Sequence, residues 1–250
     1  MFSTNKIISL LLILPGIFLK TNAQTSSVDF RSVWLAKQGS WATSFTRQEH
    51  TRVTDYKMVS ENDVYQAGIF PNKFREDQGS PDDGNAELQV DKTSYTFKKF
   101  KLRYKGFVGF NIEKLIFGKM YYQSLDSVIA DFAKFKIDVS KSRSAIWQGR
   151  KVIIFGVTNP IDITSEQIWY DAVNLYPVRI IYPHMGTEEI QYLNYKQTDG
   201  VFFPTERKLF GNGKLRHHTT YHKVRFNIDL NPGIFDPQQF GSYHWLNGDD

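Results

Sequence analysis

The sequence contains no cysteine, so no disulfide can brace the fold, and stability must come from the packed core alone. A chain of 250 residues is long enough to bury a core of that kind. A lipid anchor of the bacterial lipoprotein type also needs a cysteine, at the mature amino terminus. We therefore expect a protein that carries no such anchor.

Long apolar runs are scarce, and the one present lies at the amino terminus. The run Ile7–Leu19 follows Lys6 and precedes a small-residue stretch that ends at Ala23, which is the order of a secretory signal peptide. A transmembrane helix is the alternative, but it needs about 20 apolar residues, and proline and glycine interrupt this run. We predict a signal peptide at residues 1–23, export of the protein, and a single domain at 24–250 that does not span a membrane.

Neither sign of charge dominates, with 31 basic and 26 acidic residues and a formal net charge of +5. Loss of Lys6 and Lys20 with the signal peptide would lower that charge to about +3. The basic residues are spread out rather than gathered on one face, so we expect no nucleic-acid partner.

The common catalytic signatures are missing: there is no G-x-S-x-G, no H-E-x-x-H and no G-x-x-x-x-G-K-[ST]. A histidine cluster occurs at 217–222, but on a strand His218 and His222 would lie roughly 13 Å apart, too far to bind one ion without other ligands. No spacing singles out a pair of carboxylates for acid and base work. We predict no catalytic residue, no metal and no cofactor, and we retain an envelope hydrolase with an unrecognised site as an alternative.

Two segments have the apolar spacing of amphipathic helices. The first, Ser27–Lys37, opens on a serine suited to capping and is followed by Gly39 as a stop. The second begins after Ser124, again a suitable cap, and its apolar stripe consists of Leu125, Val128, Ile129, Phe132 and Phe135. On periodicity alone, such a stripe is more typical of a helix packed on a core than of a ligand surface.

Most of the remaining sequence predicts strands, because segments rich in β-branched and aromatic residues are separated by turn residues. "LFGNGKL", residues 209–215, is a strong hairpin signal, and "IWYDAVNLYPVRIIY" predicts a second hairpin with residues 172–176 as its loop. The polar stretch from Arg75 to Glu87 has the composition of a surface loop. Together these features predict an α+β fold, a strongly curved antiparallel sheet with helices that cover its concave side.

In their order along the chain, several segments resemble the superfamily of outer-membrane lipoprotein-sorting proteins, the LolA-like and LolB-like carriers and their relatives. The segments are "FTRQEHTR" (45–52), "AGIFPNKFRED" (67–77), "DKTSYTFKK", "WQGRKVIIFGV", the W-x-D...L-x-P-x-R hairpin through Trp169, Asp171, Leu175, Pro177 and Arg179, "GVFFPTERKLFGNGK", and "VRFNIDLNPGIFDPQQF". The resemblance covers most of the mature chain. It implies an incomplete β-barrel in a periplasmic protein, with an open, apolar cavity under helices that shields the acyl chains of lipoproteins or other lipids between membranes.

On that resemblance we predict a carrier that holds lipid or lipoprotein acyl chains, works by sequestration and release, and meets an envelope membrane protein as a further partner. The segment from Ser124 to Phe135 would serve as a mobile lid. The alternatives are the hydrolase, which predicts converging ionisable groups where the carrier predicts a dry hollow, and a sensing or interaction module. Our candidates for the apolar cavity are Trp34, Leu125, Ile129, Phe132, Trp169 and Ile181.

Overall fold

The computed structural model describes residues 29–55, 58–182, 188–243 and 245, and thirteen antiparallel strands form one sheet within them. The predicted signal peptide and its cleavage site lie outside the described residues. No helix in the described ranges is long and apolar enough to cross a membrane. The single-domain boundary at 24–250 stays a prediction.

The chain builds the sheet as two meanders that meet in the middle. The first runs from β1 outward to β6, and the second runs from β7 at the opposite edge inward to β13, which pairs with β1. In the described part of the chain, β6 and β7 are the two edges, so the sheet is not closed. The strands are β1 (Ser44–Asp55), β2 (Met58–Ile69), β3 (Lys73–Gln78), β4 (Ala86–Val90), β5 (Thr93–Lys98), β6 (Lys101–Phe107), β7 (Ser142–Trp147), β8 (Arg150–Phe155), β9 (Gln167–Asp171), β10 (Pro177–Tyr182), β11 (Glu188–Thr198), β12 (Val201–Gly211) and β13 (Lys214–Phe226).

Both predicted hairpins are confirmed. The turn between β12 and β13 consists of Asn212 and Gly213, with φ of 49° and 73°, the left-handed conformation that a tight hairpin turn demands. The turn between β9 and β10 occupies residues 172–176. There the carboxylate of Asp171 accepts hydrogen bonds from the backbone N–H groups of Val173 and Asn174, which fixes the bend.

Three α-helices are present among the described residues: α1 (Phe30–Leu35), α2 (Ile112–Ile116) and α3 (Leu125–Lys134). For α3 the predicted cap is confirmed, since the Ser124 hydroxyl accepts a hydrogen bond from the backbone N–H of Ser127. The first helix is shorter than predicted and the expected serine cap is wrong. Asp29 caps it instead, accepting from the N–H of Ser32 at 2.9 Å.

The helices pack on one half of one sheet face. Val33 and Trp34 of α1 and Phe132 of α3 are buried in one cluster with residues of β8 to β11, among them Phe155 and Tyr192. The indole N–H of Trp34 donates to the carbonyl of Met120, which ties α1 to the connection between α2 and α3. This half is a filled core, and the half formed by β1 to β4 is left less covered on the same face.

The opposite face of β2 to β4 is covered by the carboxyl-terminal segment. The surface loop predicted at residues 75–87 is shorter than expected, because both of its ends belong to strands. Residues 75–78 belong to β3 and residues 86 and 87 belong to β4, while residues 79–85 connect the two strands. Arg75 and Asp77 lie on one face of β3, fully buried as a bidentate ion pair at 2.7 and 2.9 Å. Arg75 also donates to the carbonyl of Ile234, and the indole of Trp245 donates to Asp77.

Candidate functional site

Two adjoining clefts lie between α2 and the half of the sheet that the helices leave open. The first has a volume of about 220 Å³ and lies over β1 to β4, β12 and β13. The second has a volume of about 360 Å³ and lies between β3, β4, α3 and the residues that follow β6. They share the lining residues Phe74, Gln89, Asn111 and Lys114. We treat them as one site with two compartments.

The register of the sheet places aromatic rings along one wall of the first cleft. Phe226, Phe45, Gly68 and Phe74 are successive cross-strand neighbours on β13, β1, β2 and β3. Gly68 makes room for the Phe45 ring, because a Cβ there would lie only 2.3 Å from Cε1 of that ring. We call the apolar lining the aromatic wall; it consists of Phe45, Phe70, Phe74, Phe117, Phe203, Tyr221 and Phe226.

The next row of the same strands is polar. Arg47, Gln66, Glu76 and Glu87 are cross-strand neighbours on β1 to β4. Hydrogen bonds join the first three: Arg47 Nε donates to Gln66 Oε1 at 2.8 Å, and Gln66 Nε2 donates to Glu76 Oε2 at 2.9 Å. This polar row therefore lies immediately beside the aromatic wall, so the cleft is amphipathic rather than uniformly apolar.

Arg47 joins the two sides of the cleft. Its guanidinium lies 4.9 to 5.2 Å from the ring centroids of Phe45, Phe203 and Tyr221, and it pairs with Glu49 at 2.8 Å. Contacts of a guanidinium with aromatic faces are favourable because the ring faces carry partial negative charge. The side chain therefore lines the cleft with its charge already compensated.

A second ion pair ties α2 to the sheet across the cleft. Arg207 of β12 donates two hydrogen bonds to Glu113 of α2, at 2.7 and 3.0 Å, and the hydroxyl of Tyr192 donates a third at 2.8 Å. Burial alone would raise the pKa of Glu113, but the Arg207 guanidinium outweighs burial and lowers it. The carboxylate is thus held in its charged form and anchors the helix.

Two other ionisable groups in the cleft have pKa values shifted in the direction that favours the uncharged form. Burial raises the pKa of Glu76, and the nearby carboxylate of Glu49 adds to the shift. Burial likewise lowers the pKa of Lys114. The ammonium of Lys114 lies 5.3 Å from the centroid of the Phe74 ring, at the boundary of the two compartments.

The structure separates the six sequence-predicted cavity residues. Trp34 and Phe132 are buried in the filled core under the helices, with Leu125 packed at its margin, and Ile129 is 41% exposed. Trp169 and Ile181 belong to a cluster on the other face of the sheet, where the Arg179 guanidinium lies 4.4 Å from the Trp169 ring. None of the six is among the residues that line the two clefts. Their role in ligand binding stays a prediction.

Sequence reasoning missed the residues that do line the site. Arg47 and Glu49, and Glu76 on β3, are polar residues at alternate strand positions, a pattern that by itself indicates a solvated face. The usable signal was the alternation itself: Phe45, Arg47 and Glu49 share one face, so an aromatic residue and two charged ones had to face the same side.

Comparison with known proteins shows the fold at low sequence identity. A protein described as a DUF1329 family protein from Desulfovibrio piger aligns with a TM-score of 0.57 and 10% identity over 85% of this chain and 100% of its own. A putative outer membrane lipoprotein-sorting protein domain from Vibrio parahaemolyticus gives 0.57 and 12% over 84% and 96%, and a LolA superfamily protein from Nitrosomonas europaea gives 0.57 and 11% over 84% and 98%. No family model matches the sequence, and no curated protein matches it.

The fold is therefore LolA-like: one open antiparallel sheet with few helices, as the sequence resemblance implied. The predicted fold class is confirmed. At 10 to 12% identity these neighbours establish the fold alone.

Proposed function

We propose that this chain is an exported, periplasmic binding protein that shields the acyl chains of a lipid or lipoprotein in the two-compartment cleft and releases them without chemistry. The observation that carries the proposal is the amphipathic lining. Aromatic rings form one wall, and charged groups lie directly beside it. The neighbour from Vibrio parahaemolyticus, whose name includes lipoprotein sorting, supports the same proposal.

The size of the second compartment suits an apolar chain, and its apolar lining consists of Pro71, Phe74, Phe107, Val108, Phe110, Leu115 and Phe135. Its volume of about 360 Å³ lies within the range of about 300–1,000 Å³ that is usual for small-molecule sites. Each methylene buried there would contribute about 0.8 kcal/mol. A charged end of the ligand would then lie near Lys114, where the compartments meet.

A hydrolase remains the second candidate, because ionisable groups do converge in the first compartment, which the carrier prediction did not expect. Arg47, Glu49, Glu113 and Arg207 are held in mutual ion pairs, and Glu76 accepts hydrogen bonds from two glutamine side chains. Among the described residues that line the clefts there is no serine, threonine, cysteine or histidine. The network is better suited to holding strands and helix in place than to supplying a nucleophile.

The test is extraction of lipid from protein purified without detergent, with a variant that fills the cleft. Gln89→Trp places a large side chain where the two compartments meet. Gln191→Trp is the matched control, because each glutamine donates from Nε2 to a glutamate two residues earlier, at 87 and 189, but Gln191 lies outside the clefts.

Mass spectrometry of the organic extract should detect lipid in the wild type and in Gln191→Trp. The amount in Gln89→Trp should fall by about tenfold, since the added indole occupies the volume that the chain would fill. An extract without lipid, together with no binding of a fluorescent fatty acid, would contradict the carrier. Release of product from ester substrates by the wild type, abolished in Glu76→Gln, would favour the hydrolase.

A further inference from the structure

One edge of the sheet carries a concentration of positive charge that the sequence-wide spread of basic residues conceals. Residues 96–110, which comprise the end of β5, the turn after it, β6 and three further residues, contain five cations and no acidic residue. The formal charge of this stretch, +5, equals that of the whole chain. All five cations are exposed, namely Lys98, Lys99, Lys101, Arg103 and Lys105.

The same stretch exposes large apolar side chains, and the most exposed lie at its end. Phe107 is 90% exposed and Phe110 is 69% exposed. Three more, Phe100, Leu102 and Tyr104, are between 49% and 60% exposed. A cluster of exposed apolar side chains marks a surface that contacts another protein or a membrane.

The combination of cations and protruding aromatic rings fits the interface of an anionic bilayer. Each lysine or arginine near such a surface is attracted to its negative headgroups, and aromatic rings settle at the headgroup level. A protein strand that added to the β6 edge is a poorer fit, because a lysine-rich edge is the usual means of preventing strand addition.

The end of this stretch, residues 107–110, which we call the tip, lies beside the second compartment. Phe107 and Phe110 belong to the lining of the second compartment, which also includes Lys92 and the ion pairs of Lys119 and Lys134 with Asp131. Docking of this edge on a membrane would therefore bring the second compartment to the bilayer.

We propose that residues 96–110 dock the protein on anionic membrane surfaces, with Phe107 and Phe110 inserted among the headgroups and the cations on the lipid phosphates. The docking needs no ligand in the clefts and goes beyond the carrier role. Its failure leaves the carrier proposal intact.

The first experiment is co-sedimentation of the full chain with vesicles that contain phosphatidylglycerol, compared with vesicles of phosphatidylcholine alone. Two variants remove the two features separately: Phe107→Ser with Phe110→Ser, and Lys101→Gln with Arg103→Gln and Lys105→Gln. Their matched controls are Ile161→Ser with Ile163→Ser, which removes two exposed apolar groups in another loop, and Lys196→Gln with Lys214→Gln and Lys223→Gln, which removes the same charge from exposed sites elsewhere.

We expect the wild type to bind the anionic vesicles alone. The affinity for these vesicles should fall by about tenfold or more in each of the two variants and stay within about twofold of wild type in each control. Equal losses in variants and controls, equal binding to phosphatidylcholine, or no binding at all would each overturn the proposal. No binding is also the result expected if the β6 edge pairs with a protein strand instead.

A second measurement does not depend on bulk affinity. Because the chain has no cysteine, Phe107→Cys can be labelled at one site with an environment-sensitive dye, and Ile161→Cys serves as the control. Anionic vesicles should shift the emission of the dye to the blue at 107 and leave it unchanged at 161. A shift at both positions or at neither would refute insertion of the tip. The filled-cleft variant Gln89→Trp should dock as the wild type does even where it carries no lipid.

Discussion

Replacing Arg207 with methionine should destabilise the protein and release α2 from the sheet. The guanidinium makes two hydrogen bonds to Glu113, and the two side chains are only 16% and 29% exposed. Removal of one partner leaves the other charge buried without compensation, which costs about 3–5 kcal/mol. The residual exposure of Glu113 and its hydrogen bond from Tyr192 place the expected loss at the lower end, about 3 kcal/mol.

The loss should be visible in both thermal and chemical unfolding. For a domain of this size, 1 kcal/mol corresponds to about 2–4 °C in Tm, so the variant should melt about 6–12 °C below the wild type. Urea denaturation followed by tryptophan fluorescence gives the free energy of unfolding directly.

The dependence of stability on pH supplies a sharper test, because the contribution of Glu113 to that dependence has opposite signs in the wild type and in Arg207→Met. In the wild type the pKa of Glu113 lies below its usual 4.5, so the stability from the pair is present above pH 4.5 and is lost as the pH falls through the lowered pKa. In Arg207→Met, burial without the guanidinium raises that pKa, and stability is lost as the pH rises through it. The gap between the two proteins should be widest at neutral pH and narrow below pH 4.5.

Arg179→Met is the matched control, because Arg179 pairs with Glu189 in the same bidentate manner but joins two strands, β10 and β11. Both variants should lose stability. Hydrogen exchange of the backbone amides of α2 should accelerate before global unfolding in Arg207→Met alone. A stability gap under about 0.5 kcal/mol at neutral pH, or one that widens on acidification, would refute the reasoning.

Two further predictions concern the core and the backbone. Phe132→Ala should cost about 3–5 kcal/mol in urea unfolding because the ring is fully buried, whereas Ile129→Ala on the same helix, 41% exposed, should cost less than about 1 kcal/mol; similar losses would contradict the placement of α3. Gly156→Ala should lower Tm far more than Gly149→Ala, since both have positive φ but only the former would set a Cβ 2.3 Å from the carbonyl oxygen of Glu166; equal shifts would contradict the close approach.

The sequence was sufficient to predict the elements that are determined by residues adjacent in the chain. Ser124 before an apolar stripe predicted α3 and its cap, and Asn212 with Gly213 predicted the hairpin between β12 and β13. These features depend on neighbouring residues and on φ preferences, which a sequence displays directly. The order of such segments was also enough to identify the fold.

What the sequence did not display are features created by pairing between distant strands. Arg75 and Asp77 belong to a stretch with the composition of a loop, yet the carboxyl-terminal segment covers them and they neutralise each other. The cleft arises in the same way: Arg47 meets Gln66 and Glu76 only through the register of three strands. An apolar side chain such as Phe132 signals burial but does not say whether its surroundings are filled or hollow.

The position of β1 in the middle of the sheet has a consequence for assembly. Its first neighbour, β2, follows at once, but its second, β13, is made only after β2 to β12. Until then one long side of β1 presents unsatisfied backbone N–H and C=O groups, the kind of edge that recruits foreign strands. A chain that is truncated or stalled before β13 should therefore aggregate through this side of β1, and pairing with β13 protects it.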